Sequence, residues 1–179
     1  PATKLDILTR AAKINAGVWA DEIHVVTGTN KINYPDLTTS ELSAAPLSDT
    51  PSVALDVGAV GGMYAGKIML IGTEKGLGVS VNGEISADKE LSLTNEGKIT
   101  INGNVNAKED VTISSTEAVV NNGQITSNKN IAISADQITS SGFISAGDED
   151  DEEDEDGNSG AVSIVPADAT LSAAGNIDV

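Results

Sequence analysis

The chain has 179 residues, a formal net charge of −17, four aromatic residues and no cysteine. Ten scattered basic residues against twenty-seven acidic ones form no cationic stripe, which excludes nucleic-acid binding. No apolar run approaches a membrane span, which excludes insertion through a bilayer as a helix. A core must therefore come from Val, Ile, Leu and Ala, as in a solenoid whose thin interior is built of stacked aliphatic rows. No basic n-region precedes an apolar stretch, and a chain opening on Pro1 reads as a piece of a longer one.

Taken in chain order, the first recognisable unit is Gly17-Val18-Trp19-Ala20-Asp21-Glu22-Ile23-His24-Val25. It matches Gly62-Met63-Tyr64-Ala65-Gly66-Lys67-Ile68-Met69-Leu70. Each continues into a hydrophobic residue, Gly and Thr, at Val26-Thr27-Gly28-Thr29 and Ile71-Gly72-Thr73. Both read as rungs of a wider form. Counted from their glycines, Trp19 and Tyr64 fall in the column of Ile85 and Val105, so they are expected to face inward and fill the core. The alternative is an exposed aromatic pair serving as a glycan platform.

Between these units, Pro35, Pro46 and Pro51 bar a regular central strand and predict an excursion over residues 30–57 thrown off the scaffold. Binding surfaces tend to lie on such loops, which makes Tyr34 the candidate for ligand contact.

From residue 82 the chain repeats every twenty residues, at Asn82-Gly83, Asn102-Gly103 and Asn122-Gly123, with Ser141-Gly142 one residue early. Ile85, Val105, Ile125 and Ile144 align, as do Leu91, Val111 and Ile131, then Leu93, Ile113 and Ile133. Ile99 joins the expected inner rows, and Ala87, Ala107, Ser127 and Ala146 form a small-residue column. Apolar and polar residues alternate within each short segment, the period of a strand with one buried face. Three such strands per unit describe a rung of a parallel β-helix, stacked about 4.8 Å from the next. The fold class is all-β, a parallel β-helical solenoid with rungs of about twenty residues and extra-helical loops. Asn and Gly suit the left-handed backbone of a sharp corner, and stacked Asn side chains can hydrogen-bond as a ladder.

Residues 148–156 are nine consecutive acids. Val162-Ser163-Ile164 and Gly175-Asn176-Ile177 resume the rung pattern beyond them, so the stretch over 147–160 is an insertion at a corner of one continuous solenoid. The wider rungs occupy 1–81 and the regular ones 82–179. Clustered carboxylates are hard oxygen ligands, and Glu152-x-Asp154-x-Asp156-Gly157 resembles the opening of an EF-hand loop. Position twelve of that register is Ser163, so calcium has only the weak candidates Asp150, Asp154 and Asp156. A solvated, mutually repelling loop is the plainer reading, and no cofactor is expected.

Catalysis is disfavoured. The chain has one histidine, His24, which lies between Ile23 and Val25 on the outward face of its strand and alone, and one arginine, Arg10. Acidic neighbours such as Glu109 and Asp110 point to opposite faces of a strand, and no Ser/His/Asp order, phosphate-cradling glycine loop or Cys/His spacing occurs.

The runs Ile14-Asn15-Ala16-Gly17-Val18-Trp19-Ala20, Val25-Val26-Thr27-Gly28, Ala54-Leu55-Asp56-Val57 and Gly61-Gly62-Met63-Tyr64-Ala65-Gly66-Lys67-Ile68, ending in Gly72-Thr73-Glu74-Lys75-Gly76, resemble the filamentous-haemagglutinin family. More narrowly, they are similar to the later part of the two-partner secretion domain of such adhesins and of contact-dependent growth-inhibition exoproteins. The resemblance spans residues 4 to 145; the family's Asn-Pro secretion motif does not occur in this chain. It implies a right-handed parallel β-helix that serves as a secretion and scaffold module of a large bacterial surface protein, passed by an outer-membrane β-barrel transporter and folded outside. A host-cell or bacterial receptor or glycan is the further partner it implies. The rival reading is a carbohydrate- or receptor-binding module that makes contact through the excursion or the acidic loop.

Overall fold

A computed structural model describes residues 2–34, 36–41, 51–147, 161–166, 171–173 and 177–178. The chain opens with β1 (Ala2–Thr9) and β2 (Ala12–Ile14), followed by the eleven-residue β3 (Gly17–Thr27). A hairpin of β4 (Asn30–Asn33) and β5 (Thr38–Glu41) leaves the scaffold, and β6 (Val53–Val57) returns to it. A second wide rung holds β7 (Gly62–Gly72) and β8 (Gly78–Val81). Three-strand rungs follow: β9 (Glu84–Ala87), β10 (Leu91–Asn95) and β11 (Ile99–Ile101), then β12 (Asn104–Ala107), β13 (Val111–Ser115) and β14 (Ala118–Asn121). The last are β15 (Gln124–Ser127), β16 (Ile131–Ala135) and β17 (Gln137–Ser140), then β18 (Phe143–Ala146), β19 (Val162–Pro166), β20 (Leu171–Ala173) and β21 (Ile177–Asp178).

Apart from the antiparallel hairpin, the described strands pair in parallel, each with its counterpart one rung away. β2, β6, β8, β11, β14, β17 and β20 form a seven-stranded sheet. The other scaffold strands form a twelve-stranded sheet that forks at β7. Residues Gly62–Ala65 of β7 pair with β9, whereas Ile68–Gly72 pair with β10. Across the fork, Gly66 and Lys67 face the three residues Asp88, Lys89 and Glu90, so one added residue turns a long strand into two short ones. Two limbs and the seven-stranded sheet wall the interior, which is the stacked parallel solenoid expected. No helix occurs among the described residues.

The core lies where the columns place it. Ile85, Leu91, Leu93, Ile99, Val105, Val111, Ile113, Ile125, Ile131, Ile133 and Ile144 are all fully buried, and Val162 and Ile164 pack partly buried against them. Val162 and Ile164 pair with Ile131 and Ile133, and Ile177 with Ile144, so the rung pattern resumes after the acidic stretch. The acids themselves lie outside the described residues.

The excursion is shorter than its prolines implied. Residues 30–41 form the hairpin, but Val53–Val57 is a scaffold strand between β2 and β8, admitting a register shift between Val53 and Leu55. Pro51 precedes this strand, where a missing N–H costs no ladder bond.

The corner at the Asn-Gly pairs shows both a ladder and a different reason for glycine. Asn102 donates to the Asn82 side chain at 2.8 Å, Asn122 donates to Asn102 at 2.9 Å, and the Ser141 hydroxyl donates to Asn122 at 2.9 Å. None of these asparagines or glycines has a positive φ; among the described residues only Leu37, Gly28, Gly76 and Gly147 do. Backbone approach requires glycine here instead. A Cβ on Gly103 would lie less than 3.0 Å from the Gly83 carbonyl oxygen, and one on Gly123 would meet Gly103 in the same way. The carbonyls of Gly83 and Gly103 accept from Asn104 and Gln124 at 2.9 Å, which fixes that approach.

Gly103→Ala should therefore destabilise the chain by about 1–3 kcal/mol, the usual cost of overpacking. Asn102→Ala, which loses two exposed hydrogen bonds, should cost about 1 kcal/mol or less. Urea unfolding would test the order, and equal or reversed costs would remove close approach as the reason for glycine.

Candidate functional site

Two clusters on the outside of the wide rungs bring together polar side chains that are distant in sequence. The first joins three successive turns at the ends of β1, β3 and β7. Arg10 donates to Glu74 through Nε at 3.1 Å and through Nη2 at 2.7 Å, a fork matched to the carboxylate. The Thr29 hydroxyl adds a bond to Glu74 at 3.1 Å, and the Asn30 amide donates to the Thr73 hydroxyl and to the Thr27 carbonyl. Gly28, at φ +117°, opens the turn, where a Cβ would collide with the Thr73 hydroxyl. The Arg10 guanidinium holds the Glu74 carboxyl below the usual carboxylate range, with the Thr29 hydrogen bond acting in the same direction against partial burial. The carboxylate in turn raises the pKa of Arg10. This arrangement clamps turns together and presents no group poised for proton transfer.

The second cluster corrects the expected place of the aromatics. Trp19 pairs with Tyr64 and Tyr64 with Ser86, so this column points outward. The inward column is Val18, Met63, Ile85 and Val105. In register, Gly61 rather than Gly62 stands beneath Gly83, and a slip of one residue exchanges the faces of a strand. Trp19 is 61% exposed. Its ring stacks on Tyr64 with centroids 5.4 Å apart and planes 13° apart. The Tyr64 hydroxyl donates to Glu84 at 3.0 Å, which raises the phenol's pKa. A groove of ≈ 800 Å³ runs beside the pair, lined also by Asp21, Glu22, Lys67, Asp88 and Glu90.

The remaining candidates are dispersed. His24 points outward but is neither alone nor open to solvent: Nδ1 lies 3.1 Å from the Asp6 carboxylate, between Asp6 and Met69 of the flanking strands. The unforeseen strand β1 covers it. Tyr34 is exposed in the hairpin turn, with the Lys4 ammonium 5.9 Å above its ring. Asp150, Asp154 and Asp156 lie outside the described residues. The Arg10–Glu74 pair was missed because its partners are 64 residues apart and only rung register joins them.

Comparison with known proteins shows what the chain is similar to. The family model described as the TPS secretion domain matches residues 1–101, and the haemagglutinin repeat model matches residues 97–179. "Toxin CdiA" of Yersinia pestis is 43% identical over 97 residues, covering 52% of this chain and 3% of that protein. "tRNA nuclease CdiA-2" of Burkholderia pseudomallei is 36% identical over 97 residues, covering 54% and 3%. "tRNA nuclease CdiA" of Escherichia coli strain NC101 is 38% identical over 96 residues, again covering 54% and 3%. The chain thus matches about 3% of the length of these relatives. The solved "filamentous hemagglutinin secretion domain" aligns with 97% of this chain and 45% of its own, at 17% identity and a TM-score of 0.38.

The turn clamp has a measurable pH signature. Because the folded-state pKa of Glu74 is lowered, its contribution is present above the ordinary carboxylate value and is lost as pH falls through the folded value. The urea midpoint of Glu74→Gln should fall below that of the parent chain at pH 7, with the gap closing as pH drops below about 4. A gap that stays constant down to pH 2.5 would assign the clamp to shape and hydrogen bonding, without ionic character.

Proposed function

The chain belongs to the TPS secretion domain family, and from that premise we propose that it works as the β-helical secretion and scaffold module of a large secreted bacterial surface exoprotein. The observation that carries this reading is the unbroken parallel pairing from β1 through the wide rungs into the regular ones. Both wide rungs lie within the matched secretion domain, and the regular rungs extend into the matched haemagglutinin repeat. β7 presents ladder groups to β9 and β10 together, so the wide rungs are the template on which the regular rungs begin.

Export through an outer-membrane β-barrel transporter follows from this reading, and the chain's physical properties suit it. Without cysteine, it can be threaded extended and uncrosslinked. Each rung that closes outside buries several aliphatic side chains, each contributing roughly 1.5–3 kcal/mol, and offers a fresh edge to the next. Folding on the far side would thereby oppose backsliding. The nuclease named in two of the relatives above belongs to proteins of which this match covers 3%, and the module proposed here has no chemistry of its own.

The rival, a receptor- or carbohydrate-binding module acting through the excursion or the acidic loop, draws no support from the described residues. Tyr34 already has an ammonium over its ring, and the strands of the hairpin are polar apart from Ile32.

Ile113→Asp places a charge in a fully buried column and should break its rung. In the parent exoprotein, co-expressed with its transporter, this change should slow the appearance of protease-resistant protein outside the cell at least several-fold. Thr112→Asp, on the outer face of the same strand, should leave it near the parent rate. An unaltered export rate for Ile113→Asp would remove folding as a contributor.

A further inference from the structure

The groove beside Trp19 and Tyr64 opens on the outside of the wide rungs. Its aromatic wall is built onto the sheet. Gly17 and Gly62 stand two residues before the rings on the same face, and a Cβ at either would lie less than 3.0 Å from three atoms of the aromatic side chain that follows. The rings therefore lie over bare backbone, and Trp19 remains 61% exposed. Stacking on Tyr64, itself tied to Glu84, holds the indole in one orientation. A large apolar surface already fixed in place loses little conformational freedom when a ligand covers it.

The polar wall indicates what would cover it. Asp21 and Glu22 come from β3, Lys67 from β7, and Ser86 with Asp88, Lys89 and Glu90 from the next rung. Lys67 is paired with Glu90 at 3.0 Å, and Asp88 with Lys108 at 2.7 Å. The groove thus offers acceptors and donors close together along one edge of an aromatic surface. A pyranose carries the complementary pattern, a flat C–H face and a rim of hydroxyls that both donate and accept. Four carboxylates against two ammonium groups disfavour a polyanionic sugar, and a cationic peptide would have to displace lysines already seated in the groove. We propose that this groove is a binding site for a neutral glycan, with a pyranose ring stacked on Trp19 and its hydroxyls meeting the carboxylates and lysines of the adjoining rungs.

This inference does not rest on the export reading, since a scaffold that is never exported would have the same groove. Trp19 is the chain's single tryptophan, so its fluorescence reports the site. The full chain would be titrated with lactose, cellobiose, maltose and chitobiose, and in parallel with a heparin tetrasaccharide and tri-lysine. At least one neutral disaccharide should give a saturable blue shift below about 10 mM. By saturation-transfer NMR, Trp19→Ala should weaken that binding at least tenfold at an unchanged melting temperature, and Trp19→Phe should retain most of it. No saturable response to any neutral disaccharide, binding that survives Trp19→Ala, or a response to heparin or tri-lysine alone would each overturn the proposal.

Discussion

Every feature of this molecule depends on rungs stacking in register, strand over parallel strand at the hydrogen-bonding distance of about 4.8 Å. Each side chain is then the nearest neighbour of the residue one rung away, and composition is constrained column by column. Aliphatic columns close the interior, as with Ile85, Val105, Ile125 and Ile144. Amide columns satisfy one another outside, as with Asn82, Asn102 and Asn122. Charges one rung apart pair with the opposite sign, as Asp88 does with Lys108 and Lys67 with Glu90. Where backbone crosses backbone at the corner, only glycine leaves room. Nine consecutive acids at 148–156 account for much of the net charge of −17, and in sequence they fall between β18 and β19.

The same constraint explains how the wide rungs differ. β3 and β7 run eleven residues without a break, while the next rungs spend three residues on a corner between two shorter strands. Glycine permits that continuity at Gly66, where a Cβ would press on the Asp21 carbonyl. The unbroken strands carry Trp19 and Tyr64 outward side by side, whereas the regular rungs continue this column with small polar residues, Ser86, Asn106 and Thr126. Departures from the regular rung are thus concentrated where the outer surface gains shape: the hairpin at 30–41, the turn clamp at Arg10 and the aromatic wall.

Repetition made the regular rungs legible, because a column that recurs every twenty residues fixes its own face. The wide rungs have no such redundancy. Laid against Gly83, Gly62 puts Tyr64 with Ile85; laid against Glu84, as the backbone bonds require, it puts Tyr64 with Ser86. With a period of two, that residue decides between core and surface. Buried polar residues were illegible for a related reason. Asn95 and Ser115 end strands at a corner, where their side chains turn in to bond the carbonyls of Leu77 and Gly97 at 2.9 Å. Asn121 does so at another corner, bonding Ser140 at 3.1 Å. Their sequence neighbours are ordinary turn residues, and only the stacked corner gives them a partner. The Arg10–Glu74 bond is the extreme case, since nothing local to either residue selects the other.

A solenoid that extends by register separates two jobs that a globular domain must combine. Interior columns set length and stability, and they tolerate little variety because each residue is bounded above and below by its own kind. Outward columns are free to vary, provided no side chain obstructs the next ladder. Surface chemistry can therefore change from rung to rung without disturbing propagation of the fold, as the aromatic column gives way to serine and asparagine over an unaltered core. A site such as the groove beside Trp19 needs three adjacent rungs and no more, because residues from three rungs already supply its aromatic wall and its polar edge. The rungs beyond add reach, while the wide rungs supply the stacked aromatic pair, with Trp19 open to solvent.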